Sequence, residues 1–170
     1  VAVEALNPRG AVLLGFVAEA LRGHEDIAEQ TLGADRLDVL VALPSRAFTE
    51  EERSRMPTVF SVLRAIVALF KSDADSDLGL YGAFGYDLAF QFDPVKETLA
   101  RADGRRDLVL YVPDEILMVD HYSARAYVEA YEFERAGVST EGLDGGGTDA
   151  PFVPSNRMPE RGDHKPGEYA

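Results

Sequence analysis

Three glycines stand three residues apart, at Gly79, Gly82 and Gly85, in the stretch LGLYGAFGYDLAFQFDP from Leu78 to Pro94. Glycine-rich loops can cradle phosphate, so this spacing is the first candidate for chemistry. A dinucleotide fingerprint needs G-x-G-x-x-G between a strand and a helix, with an acid about 20 residues on. The spacing here is G-x-x-G-x-x-G, and no Walker-type lysine follows. The stretch reads better as a strand, LYGAF, in which Gly82 lets a neighbouring segment approach closely. YDLAFQF then turns into a short helix, with Asp87 near its start to favour the dipole.

The other candidates are carboxylates and imidazoles. Asp73, Asp75 and Asp77 alternate as in a calcium loop. An EF-hand also needs glycine at its sixth position and glutamate at its twelfth. Leu78 and Phe84 stand there, so the reading is a solvated acidic turn. His24, His121 and His164 share no ligand spacing. Asp120 and His121 could form an acid–base pair, but adjacent strand residues point to opposite faces, so His121 reads as a turn residue. Asp114 and Glu115 are adjacent too, and Asp114 follows Pro113 as a turn acid does. No nucleophile beside a base, metal cluster or oxyanion hole emerges.

The elements that must position these residues follow from periodicity. RGAVLLGFVAEALRG (Arg9–Gly23) has apolar residues at Val12, Leu13, Phe16, Val17, Ala20 and Leu21, a helical spacing stopped by Gly23. RLDVLVALP (Arg36–Pro44) reads as a strand. Thr49 and Glu52 form a capping box that opens a short helix. The strongest helix is MPTVFSVLRAIVALFKS, with Val59, Val62, Leu63, Ile66, Val67 and Phe70 on one stripe. Pro57 suits its first turn and Lys71 its last. Only Arg64 interrupts the apolar surface, so most of the circumference is expected to be buried. Asp107–Phe133 reads as a three-stranded antiparallel meander, turning at Pro113-Asp114 and at His121–Ala124. Leu108–Val112 and Ile116–Val119 are apolar without alternation, which predicts cover on both faces.

Length and charge set the outer bounds. The 170 residues suffice for one domain, or a domain plus a tail. Apolar residues make up 46%, enough for a sizeable core. The net charge of −13 repels phosphate backbones and anionic membranes, so neither nucleic acid nor membrane is expected as a partner. The absence of cysteine excludes a disulfide framework, a thiolate zinc site and a cysteine nucleophile, and fits a reducing cytoplasm. No apolar run reaches the roughly 20 residues that span a bilayer, and VAVEALNPRG lacks the basic and apolar regions of a signal peptide. The first residue is Val1, and the closing HKPGEYA looks like a helix beginning, so a piece of a longer protein is expected.

FTEEERSRMPTVFSVLRAIVALF, GLYGAFGYDLAFQFDP, DLVLYVPDEILMVDH and HKPGEYA together resemble anthranilate synthase component I, in its large or fused form. FGYDL followed by PDEILMVDH is similar to the amino-terminal region of chorismate-using synthases, and the preceding helix and capping box narrow the match. The resemblance implies an α+β fold, an antiparallel β-sheet with flanking helices. It implies an amino-terminal region over residues 1–136, a Gly/Pro-rich linker over 137–163 and the start of a chorismate-binding catalytic domain at 164–170. The activity implied is conversion of chorismate and glutamine-derived ammonia to anthranilate and pyruvate, with magnesium, in tryptophan biosynthesis. The partners implied are the chorismate-binding domain of the same polypeptide, a glutamine amidotransferase subunit or fused domain, and tryptophan as feedback effector.

The family's chorismate and magnesium ligands belong to a domain that begins about where this sequence stops. The Leu-Leu-Glu-Ser-type element of its tryptophan pocket is not found here. No catalytic, cofactor-binding or metal residue is therefore expected within the chain, and its expected role is scaffold and regulation, inactive alone. The motif residues Gly82, Phe84, Gly85, Tyr86 and Asp87 are expected at the interface with the catalytic half. There Gly82 and Gly85 would permit close backbone approach, and Phe84, Tyr86 and Phe90 would supply buried area. Aminodeoxychorismate synthase shares FGYDL-like signals and is the alternative within the class. A self-standing acidic binding module is the alternative outside it.

Overall fold

The computed structural model describes residues 1–42, 56–73, 77–91, 104 and 106–145. The Thr49–Glu52 capping box, Asp75, His164 and the closing HKPGEYA lie outside the described residues.

The amino-terminal layer is a small sheet covered by helices. Helix α1 (Pro8–Leu21) starts where Asn7 holds an extended backbone and its Oδ1 accepts from the Gly10 N–H at 2.7 Å. Pro8 occupies the first turn, where a missing N–H leaves nothing unpaired. Gly23 lies just past the end with φ +75°, a conformation that glycine adopts without strain. Strands β1 (Ala2–Glu4), β2 (Ile27–Leu32) and β3 (Arg36–Val41) form an antiparallel sheet in the order β1–β3–β2. The expected strand is β3; its neighbours are too short or too polar to stand out in the sequence.

Alternation along β3 sorts the two faces of this sheet. Leu37 and Val39 point inward, while Arg36, Asp38 and Leu40 point out. The outer face is finished for water: Arg36 pairs with Glu4 at 2.6 Å and with Asp38 at 2.8 Å. The inner face meets Leu14, Val17, Ala18 and Leu21 of α1, and Val62 and Ile66 of helix α2 (Val59–Phe70), in one buried cluster. Gln30 ties β2 to α1 by donating from Nε2 to the Ala18 carbonyl at 3.0 Å.

Helix α2 is capped by Thr58. Its Oγ1 accepts from the Phe60 N–H at 3.2 Å, and its own N–H donates to Ser61 Oγ at 3.4 Å. Pro57 therefore precedes the cap instead of opening the first turn, because the threonine hydroxyl satisfies the free N–H group. Lys71 is the C-cap. Val59, Val62, Leu63 and Ile66 are buried, but Arg64, Val67 and Ala68 are exposed together. The expected burial around most of the helix is thus corrected to one face.

The remaining strands form two-stranded ribbons. Strand β4 (Tyr81–Phe84) pairs with β5 (Leu108–Tyr111), and β6 (Glu115–Asp120) pairs with β7 (Arg125–Ala130), each antiparallel. A 3-10 helix over Tyr86–Gln91 follows β4, with Asp87 in its first turn. The expected three-stranded meander is corrected: β5 pairs with β4 and not with β6, so Pro113-Asp114 links two ribbons. The fold is α+β, with its strands antiparallel throughout.

The predicted cover on both faces of β6 is corrected as well, since Leu117 and Val119 are exposed. Residues 137–145, placed by the sequence within a linker, are built into the fold. A short hairpin pairs β8 (Glu134–Arg135) with β9 (Val138–Ser139), and Thr140 is fully buried. The Phe133 ring meets Phe70 at the end of α2 edge-on, with centroids 5.4 Å apart.

Candidate functional site

The glycines of the FGYDL stretch have a definite steric role. Gly82 sits at φ +158°, and a Cβ there would lie 2.0 Å from the Val109 carbonyl oxygen. Only glycine lets β4 close onto β5 at that point. Gly85 donates its N–H to the Asp107 carbonyl at 2.7 Å, and a Cβ would stand 3.1 Å from the same oxygen. Both glycines thus seat β4 on the neighbouring strand of this same chain. The rings beside them are only partly engaged. Phe84 meets Phe60 of α2 with centroids 5.8 Å apart, whereas Tyr86 is 86% exposed and touches Phe90 edge-on.

The carboxylates and histidines do not converge. Asp120 accepts from the Tyr122 N–H at 2.8 Å, the Ser123 N–H at 3.2 Å and the Ser123 hydroxyl, which holds its carboxyl below the usual range. It shapes the β6–β7 turn and does not pair with His121. His24 Nδ1 accepts from the Asp26 N–H at 3.2 Å within a local turn. Among the described residues no three of His, Cys, Asp or Glu gather as metal ligands.

The described charges with the densest wiring surround Arg9. Its Nε lies 2.8 Å from Asp114 Oδ2, and its Nη1 lies 2.9 Å from Glu132 Oε1. Nη2 donates to the Tyr131 carbonyl at 2.5 Å, and Nη1 also reaches the Thr140 carbonyl at 3.4 Å. Thr140 Oγ1 donates to Glu132 Oε2 at 2.7 Å and accepts from the Phe133 N–H at 2.9 Å. Asn7 Nδ2 donates to the Gly145 carbonyl, so the same residue caps α1 and holds the end of the described chain. Glu132 raises the Arg9 pKa, opposed by desolvation; in return Arg9, then Thr140, hold the Glu132 carboxyl low.

This guanidinium is buried, and each of its nitrogens lies against a protein oxygen, although the Nε–Asp114 contact lacks hydrogen-bond geometry. It is a clasp joining α1 to the segment after β7, not a receptor for an anionic substrate. Sequence reasoning missed it. The available signal was an arginine on the helical stripe that continues through Leu13 and Phe16. Between the three-stranded sheet, α1, α2 and β5 runs a cleft of about 1580 Å³. Leu13, Val17, Val39, Leu63, Ile66 and Leu110 contribute to its lining. The lining also carries Glu4, Arg9, Arg36, Asp107, Tyr111 and Asp114, of which Arg9, Asp114, Arg36 and Glu4 are held in ion pairs within the chain.

Fold and site together define an α+β body in which Arg9 and Asp120 are engaged in contacts within the chain. Comparison with curated proteins gives its kinship. The chain is 50% identical over 167 residues, 98% of its length, to an anthranilate synthase of Azospirillum brasilense, of which it covers 23%. It is 29% identical over 135 residues to anthranilate synthase component 1 of Vibrio parahaemolyticus, covering 78% of this chain and 24% of that protein. With the Serratia marcescens component 1 it shares 31% over 136 residues, 78% of this chain and 25% of that protein. No protein-family model matches. The chain belongs to the anthranilate synthase component 1 family and spans about a quarter of the length of these relatives.

Proposed function

We propose that the chain is the amino-terminal supporting part of an anthranilate synthase, which converts chorismate and ammonia to anthranilate and pyruvate. The observation that carries this reading is the 50% identity over nearly the whole chain to a protein of that name. The support role rests on the site itself: Arg9 and Asp120 are engaged in holding the fold. Magnesium, which the family chemistry implies, finds no group of three His, Cys, Asp or Glu side chains among the described residues. The reacting groups would belong to the chorismate-binding domain of the same polypeptide, in the cytoplasm, with tryptophan as feedback effector.

Relative length favours the fused form. Since 167 residues are 23% of the Azospirillum protein, it is about 730 residues long; 135 residues at 24% make the Vibrio component about 560. The difference is about one further domain, which suits a fused glutamine amidotransferase.

The test is an anthranilate fluorescence assay of the full-length gene product with chorismate, ammonium and magnesium. Turnover by the full-length protein and none by residues 1–170 is expected. Turnover by residues 1–170 alone would overturn the support role. Aminodeoxychorismate in place of anthranilate would shift the reading to the sibling enzyme.

A further inference from the structure

The register of β6 and β7 sorts their side chains cleanly. Glu115 faces Ala130, Leu117 faces Val128, and Val119 faces Ala126. Cross-strand partners share one side of a ribbon. One face of β6–β7 therefore carries Leu117, Val119, Ala126, Val128 and Ala130, with Glu115 at one end. It is open: Leu117 is 41% exposed, Val119 50% and Val128 53%. On the opposite face Ile116, Met118 and Glu129 are half-buried, while Tyr127 and the Asp120–Arg125 end are exposed. A two-stranded ribbon is marginal in water without packing on one face, and contiguous exposed apolar surface marks an interface.

We propose that this face is the seat of an apolar segment of the same polypeptide lying outside residues 1–170; the inference rests on the reading of the chain as part of an anthranilate synthase. Two observations select that occupant. The relatives are about four times the length of the match, so most of the polypeptide is available to cover the ribbon. A second copy of this piece would bring a further −13 charge against the first, which disfavours self-association. The outer face of the β1–β3–β2 sheet is the internal contrast. It too lies open, but there the exposed Leu40 stands alone beside the ion-paired Arg36, Glu4 and Asp38, which suit water.

The chain contains no cysteine, so single cysteines report cleanly within it. Val128→Cys on the apolar face and Tyr122→Cys at the exposed turn of the same ribbon are placed separately in the full-length protein. Alkylation is followed peptide by peptide. Cysteine at 128 is expected to react at least about tenfold more slowly than at 122 under native conditions, and equally in denaturant, as expected for a site reached only by local opening. Comparable native rates overturn the proposal. Protection that disappears on dilution assigns the face to a second copy and overturns it.

Should Val128→Cys fail to fold, amide exchange over residues 115–130 of the unmodified full-length protein decides. Slow exchange on both strands supports the proposal, and exchange as fast as a solvated ribbon overturns it. Failure of the functional reading has a separate signature, the absence of anthranilate from the unmodified protein.

Discussion

β3 of the amino-terminal sheet and β6 of the β6–β7 ribbon each carry four apolar residues in six, yet they end differently. Leu37 in β3 is 0% exposed, enclosed by two helices of its own chain. Val119 in β6 is half exposed, with nothing over its face among the described residues. The first region encloses Leu37 with its own helices, and its outward surface carries the ion pairs of Arg36 with Leu40 among them. The second has the composition of a core strand without the cover. A strand's hydrophobicity thus reports that it is meant to be buried, not that its own segment can bury it.

That contrast can be broken experimentally. The largest effect is expected from Gly82→Val. Its side chain would have to displace the backbone of β5, so separation of β4 from β5 and a loss exceeding about 4 kcal/mol are expected. An unchanged melting temperature of the full-length protein would remove the steric role of Gly82. Leu37→Ala should cost about 3 kcal/mol in denaturant unfolding, as transfer and cavity terms add at an enclosed site. A loss below about 1 kcal/mol would mean that this core collapses around the gap as freely as a ribbon does.

Arg9→Met should cost about 2 kcal/mol, because Asp114 and Glu132 lose their cation yet can still reach water. The same clasp sets a pH dependence. Glu132 is held below the ordinary carboxylate value, so its contribution is complete above about pH 4.3 and fades as pH falls through the lowered native value. Urea midpoints of the parent protein should therefore drop more steeply in acid than those of Arg9→Met. Parallel curves would show that the carboxylate is not coupled to the arginine. The smallest effect is expected from Arg36→Ala, whose partners are exposed, with a melting temperature indistinguishable from the parent.

What was legible in the sequence was local. The apolar stripes of α1 and α2, the branched run of β3, and the glycine that seats β4 all depend on residues a few positions apart. Partner choice was not legible. Nothing in Leu108–Tyr111 says that it pairs with Tyr81–Phe84 and not with the strand after Pro113. β2 was invisible because IAEQTL is polar, its place fixed by pairing with β3 and by Gln30 reaching α1. The cover predicted for Ile116–Val119 is absent among the described residues because an apolar run reveals a need for burial and not where the burying atoms lie. The clasp was hidden by distance along the chain, since Arg9 and its carboxylates share no local pattern.

That distance bears on how the protein comes off the ribosome. The bond from Arg9 to Thr140 joins residues 131 positions apart. At a synthesis rate of about 5–20 residues per second, Arg9 waits roughly 7–26 s before this partner exists. During that interval β2, β3 and α2 emerge and cover the apolar stripe of α1, while Arg9 still lacks its carboxylate and carbonyl partners. Slow codons between these points would lengthen that wait.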